Sequence, residues 1–382
     1  MLHGLTVSGL PVFDFGGDDP TGRWRGYSWA ESLAQEGLRV FIMDQWGVGR
    51  SDRQYMDKPC NALKADQAKL IPPLSDPARE CSGNYPWPYV YSNTGTDQRD
   101  LYNVIQWISG YGARKIALVG YSAAAFSLGR YLRSPDFMYG FGVSSLFLLA
   151  PVFPPWGFSD PPPGGPYYAG FPMTIQTRSE FEAPWENEVR NGAQRESGVN
   201  EALWSAIMQN DDLGRQWGGG VMRNRTAVRW GWNRREVHKN QYLGSQIPVA
   251  IVYGDRDGLA ITPRDLDMLQ ITRQEPEHAG PPFNVKWLYR AIQGEKKLLI
   301  RIPNTGHFMP WERKHKVLHD LSAQWIKNGK IMQGGPLPWP PRPGINNGAY
   351  EWTSLGGFSP IDIGPGPIVV PLGGLPVRVQ AL

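Results

Sequence analysis

Ser122, Asp257 and His307 are the residues of this sequence whose types suit covalent catalysis. A serine hydroxyl is a poor nucleophile until an imidazole takes its proton. A buried carboxylate then holds the imidazole in one tautomer and stabilises the imidazolium. Ser122 lies in Gly120-Tyr121-Ser122-Ala123-Ala124. This is the pattern G-x-S-x-G with alanine in the last place, and small flanking residues suit the tight turn that exposes such a serine. The N–H of Ala123 would be the first donor to a developing oxyanion. The turn after His3-Gly4 would supply the second, from Leu5. One such donor is worth roughly 3–4 kcal/mol. Alone the motif is weak, because an ordinary turn serine also satisfies it. An acid and a histidine further along the chain are what give it weight.

Each of these residues needs a strand end to position it. Residues 116–119 are a short apolar run that feeds the turn at Ser122, and a helix-forming run follows. That helix would aim free N–H groups and a positive dipole end at the site. Residues 38–43 (LRVFIM), 145–150 (SLFLLA), 247–253 (IPVAIVY) and 297–302 (KLLIRI) also read as buried strands. Helices are expected over 27–35, over 97–108 with a cap near Thr96, over 201–208, from Thr262-Pro263 to 269, and over 317–326. Strands and helices alternate, so the sheet is expected to be parallel. Asp257 and His307 then fall just past strand ends, at the edge where open parallel sheets bind ligands. Leu2-His3-Gly4 reads as the tail of a strand, which leads us to expect residues upstream of Met1.

With 382 residues the chain can hold one large domain with an insertion, or two domains. Its net charge is +4 and no basic run occurs, so nothing points to nucleic acid. No apolar run reaches the ~20 residues of a membrane span. The 35 prolines, 45 glycines and 16 tryptophans argue for loops and aromatic contacts rather than a helical bundle. Residues 52–92 form a long irregular insertion, and loops of that length are usually functional. The expected organisation is two core halves, 1–151 and 247–331, around a lid over 152–246. A Pro/Gly-rich tail over 332–382 is read as extended, either wrapped on the body or disordered, and separate from the core. Trp156, Trp217, Trp230 and Trp232 either line an aromatic pocket or hold the lid together, and Tyr121 is a further candidate substrate contact. Cys60 and Cys81 share the irregular insertion; a disulfide and two free thiols are both open. A disulfide would favour a secreted or periplasmic protein, and free thiols the cytoplasm. Asn224-Arg225-Thr226 is a glycosylation sequon that matters only in a secreted eukaryotic protein. His315 and His319 are read as an exposed helix face, and no metal is expected.

Taken together, these segments resemble the α/β-hydrolase family of serine hydrolases with a cap insertion. The resemblance is carried by Leu2-His3-Gly4, Asp44-x-x-Gly47-x-Gly49-x-Ser51, the elbow at Ser122, Gly254-Asp255-Arg256-Asp257 and Gly306-His307, in order over residues 2–307. It implies an α/β fold with a mostly parallel central sheet and helices on both faces. It also implies hydrolysis of a carboxylic ester through an acyl-enzyme, with no cofactor and a small-molecule ester as partner. In the family the acid lies three residues after the glycine of its turn, which assigns that role to Asp257, with Asp255 second. His3 would support its loop. Branches of the family that use an aspartate nucleophile are disfavoured, because Ser122 occupies that position. The alternatives are an amide or C–C bond hydrolase, an acyltransferase, and a non-catalytic ligand-binding protein on the same fold.

Overall fold

The computed structural model describes residues 1–17, 19–70, 92–133, 142–161, 172–189, 194–260, 283–333, 342–353 and 357–363. In chain order its strands are β1 (Ile116–Tyr121), β2 (Val143–Leu149), β3 (Met173–Thr177), β4 (Val221–Arg225), β5 (Val249–Gly254), β6 (Lys297–Ile302), β7 (Ile331–Gln333), β8 (Arg342–Ile345), β9 (Gly348–Trp352) and β10 (Phe358–Pro360). The central sheet runs β1-β2-β5-β6-β9-β10. Its first five strands are parallel, and β10 closes it antiparallel to β9. Along β2, side chains alternate between two cores. Phe147 and Leu149 pack with Trp29, Leu318 and Trp325 on one face, while Leu146 and Leu148 pack with Leu101, Leu128 and Leu288 on the other. Both faces are covered by helices, so the strands are apolar throughout, as in buried parallel sheets.

Helices form where capping and one-sided apolar spacing agree. Thr94–Gly110 is capped by the Asn93 side chain, with Thr96 completing a capping box. It therefore starts just before the expected position. Trp29–Gln35, Val199–Gln209 and His315–Asn328 match the expected helices to within a turn. The expected helix over 262–269 lies outside the described residues. Between β2 and β5 the chain builds an antiparallel β3–β4 pair. The helices Arg178–Glu188, Val199–Gln209, Asp212–Gln216 and Arg234–His238 accompany it.

Three readings need correction. Residues 38–43 are not a buried strand. They are largely half-exposed and reach the sheet through residues 1–2: the Met1 N-terminus donates to Phe41 O, the Met43 N–H donates to Met1 O, and Leu2 bridges both Met43 and Gly120. An apolar cleft of about 690 Å³ separates the rest of this run from β1. Apolar runs report which residues favour burial, but a strand also needs a hydrogen-bonding neighbour along its length. Second, the tail is not separate from the core, since β9 and β10 extend the central sheet beyond β6. Unpaired backbone groups along the β6 edge are satisfied by this pairing, and Pro360 is tolerated because β10 is the edge strand. Third, His315 and His319 are buried, and their rings stack on Tyr27 and Trp29. The sequon residue Asn224 is buried in β4 and donates to Gln176, a poor setting for glycosylation. Cys60 is held in a disulfide, and Cys81 lies outside the described residues. Among the described residues no helix is long and apolar enough to cross a membrane.

Candidate active site

β1 ends at Tyr121 and the helix Ala124–Tyr131 begins three residues later, which leaves Ser122 on a sharp turn. Ser122 has φ +55°, a left-handed conformation that residues with side chains seldom adopt. Neighbouring backbone enforces it. The Ser122 N–H donates to Leu149 O at 2.9 Å, and the Val152 N–H donates to Ser122 O at 3.2 Å. The His3-Gly4 turn packs directly against it. A Cβ on Gly4 would lie 2.9 Å from Ser122 Cβ, so only glycine allows this approach. His3 supports that turn. Its Nδ1–H donates to Gly4 O at 2.8 Å and its Nε2 accepts from the Gln45 N–H at 3.0 Å. Burial lowers its pKa to about 4, which keeps the ring neutral and in the tautomer those two bonds require.

Asp257 follows β5 and His307 follows β6, so adjacent parallel strands bring them together. His307 Nε2 lies 2.9 Å from Ser122 Oγ. Its Nδ1 lies 3.0 and 3.1 Å from the two carboxylate oxygens of Asp257. Asp257 is buried, and its Oδ1 also accepts from the N–H groups of Leu259 and Ala260 at 2.9 and 2.7 Å. Asp255 is exposed and instead accepts from the Thr305 N–H at 3.3 Å. Of the two candidate acids, only Asp257 meets the histidine. Burial depresses the His307 pKa more than any other single influence. The charge and hydrogen bond of Asp257, together with the charges of Glu188 and Glu312, outweigh it, and the net direction is upward. An imidazole bonded in this way can take a proton from the serine and return it to a leaving group.

Ser122 and His307 open onto a cavity of about 750 Å³, within the usual size range of small-molecule sites. Its walls include Leu5, Tyr121, Ala123, Trp156, Trp230 and Trp232. Tyr121 also donates its hydroxyl to His307 O at 3.0 Å. Burial, with the charges of Asp257, Glu188 and Glu312, pushes that phenol well above its ordinary pKa and keeps it a donor. Trp217 is not in the cavity wall. It packs beside Met56 and Ala62 in a separate cluster, under the Arg223 guanidinium.

The profile of the alpha/beta hydrolase family matches residues 1–320 of the chain. The protein belongs to the alpha/beta hydrolase family. No curated protein sequence gives a match. Among solved structures, a thermophilic esterase from Thermogutta terrifontis shares 14% identity at a TM-score of 0.44, covering 85% of this chain and 88% of that one. The monoacylglycerol lipase of Paleococcus ferrophilus shares 12% at a TM-score of 0.40, covering 85% and 91%. A thioesterase domain from the curacin biosynthetic pathway shares 16% at a TM-score of 0.42, covering 86% and 89%.

This alpha/beta hydrolase also brings two buried acids to His307 that have no sequence signal. Glu188 Oε2 accepts from the His307 N–H at 2.6 Å, across 119 residues of chain. Glu312 accepts from the Gly306 N–H at 3.1 and 3.2 Å and from Trp185 Nε1 at 3.3 Å. Burial raises both carboxyls to about 7. Asp257 adds to the effect at Glu188 and Glu188 adds to it at Glu312, against the donors that each accepts from.

Proposed function

We propose that this alpha/beta hydrolase cleaves carboxylic esters through an acyl-enzyme. The observation that carries the reading is the unbroken chain from Ser122 Oγ through His307 to Asp257, with the serine facing the cavity. Ser122 attacks the ester carbonyl while His307 takes its proton. The tetrahedral oxyanion is held by the N–H groups of Ala123 and Leu5, and the close seat of Gly4 on Ser122 supports the second of these. His307 then protonates the departing alcohol. The acyl-enzyme is hydrolysed by water that His307 activates, and Asp257 stabilises the imidazolium at both stages. Residues 152–246 act as a cap, contributing Trp156, Trp230 and Trp232 to the cavity wall. That wall suits an ester with a bulky or aromatic group.

The test is a fluorophosphonate probe followed by a substrate panel. Wild type is expected to be labelled and Ser122→Ala to be silent, and unlabelled wild type or equal labelling of the two would sink the mechanism. Turnover of p-nitrophenyl esters in water supports the ester reading. Turnover of amides alone, or only with an added acyl acceptor, makes the protein an amidase or a transferase instead.

A further inference from the structure

The helix Arg178–Glu188 belongs to the segment between β2 and β5, yet its last residue reaches the loops behind the triad. Glu188 is buried, and its two oxygens are used separately. Oε2 accepts from the His307 N–H at 2.6 Å, and Oε1 accepts from the Gly258 N–H at 2.8 Å. One carboxylate therefore ties the loop that carries His307 to the loop that carries Asp257. The fit is close, since a Cβ at Gly306 would come 2.2 Å from Glu188 Oε2. The helix is seated nearby by Trp185, whose ring stacks on Phe308 at 5.1 Å between centroids. Phe181 and Pro184 of the same helix line the cavity.

We propose that Glu188 is a positioning residue. Its carboxylate clamps the Asp257 loop to the His307 loop and sets the imidazole at the distance from which it can serve Ser122. This assignment rests on the serine hydrolase reading for its catalytic meaning, but the clamp itself is a matter of geometry. Both bonds are N–H donations to oxygen, so the ionised form makes both, while a proton on either oxygen competes with one of them. Among the described residues, the titratable groups that face Glu188 are Asp257, His307, Glu312 and Tyr121. Its negative charge favours the imidazolium. Glu188 thus has two separable effects, one on where His307 sits and one on how readily it is protonated.

Glu188→Gln separates them from simple packing. The amide keeps the volume, but its NH₂ end meets a backbone N–H, and the charge is gone. We expect kcat on a p-nitrophenyl ester to fall roughly 10- to 100-fold, with KM little changed. The acid limb of the kcat/KM profile should move to lower pH by about one unit. The His307 ring titration, followed by NMR, should move down by the same amount. That measurement needs no substrate, so it distinguishes failure of the clamp from failure of the hydrolase reading. A moved His307 titration together with displaced His307 and Gly258 amide-proton resonances, in a protein that hydrolyses nothing, leaves the clamp standing and removes the reaction. Wild-type kcat with an unmoved titration overturns the clamp. If Glu188→Gln does not fold, Glu188→Asp keeps the charge but is too short to span both N–H groups. It is expected to lower kcat at constant KM, and wild-type kcat in that variant overturns the proposal.

Discussion

Asp97–Arg225 and Asp257–His307 are buried acid–base pairs built for different ends. Asp97 and Arg225 join the helix Thr94–Gly110 to β4 through two bonds of 2.8 Å. The guanidinium also donates to Trp46 O at 3.1 Å and Gln45 Oε1 at 2.9 Å. Gln45 in turn donates through its backbone to His3, so this network underlies the turn beneath Ser122. In the other pair, Asp257 occupies only one nitrogen of His307, and the other nitrogen meets a hydroxyl at a cavity. Arginine keeps its proton throughout the working range of pH, whereas histidine exchanges one near neutrality. A buried pair is structural when its cation is fully engaged and cannot titrate. It becomes a candidate for chemistry when the base has one nitrogen held and the other free to exchange a proton with a neighbour.

The largest effect that would sharpen this contrast is expected from Asp257→Asn. Losing the carboxylate lets the imidazole adopt the wrong tautomer, and kcat should fall by about 10⁴-fold. A change of less than tenfold would mean that the pair is as structural as Asp97–Arg225. The wild-type pH profile bears on the same point. The folded pKa of His307 lies above its ordinary value, so the pair's stabilising effect is complete below about 6.5 and fades as pH rises through the folded pKa. Activity should do the opposite, rising over that interval as the neutral base appears. Asp257→Asn should shift this rise to lower pH.

Next in size is Arg225→Ala, which strands a buried carboxylate and should cost about 3–5 kcal/mol in urea unfolding. Activity per folded molecule, scored against fluorophosphonate labelling, should fall far less than in Asp257→Asn, because Arg225 reaches the Ser122 turn only through Gln45 and His3. If stability is unaltered while kcat collapses, the two pairs have been assigned the wrong way round. The smallest effect compares two tryptophans. Trp230→Ala should raise KM for an aromatic ester by roughly tenfold. Trp217→Ala should leave KM alone and register only in the melting temperature.

Much of the site was legible because its signals are local. The small residues around Ser122 announce a tight turn, and the apolar runs before Ser122, Asp257 and His307 announce buried strands. Parallel strands then place their ends on one edge of the sheet, so three residues far apart in the chain could be expected to meet. The choice of Asp257 over Asp255 came from family spacing, and the structure gives it a physical basis, since one side chain is buried and the other faces water. Trp217 and Trp230 lie in similar aromatic, glycine-rich surroundings, and nothing nearby in sequence says which one turns to the cavity.

The chain's own order of residues determined the α/β architecture, the strained serine turn and the candidates for base and acid. These depend on turn chemistry and on short continuous apolar runs, which act over a few residues. Tertiary structure alone decided that β9 and β10 join the sheet, that residues 38–43 reach it through Met1 and Leu2, and that Glu188 crosses from the inserted helix to hold His307. Each of these depends on which distant backbone groups are left without hydrogen-bond partners once the sheet has formed. That quantity belongs to the packed molecule and to no short stretch of its sequence.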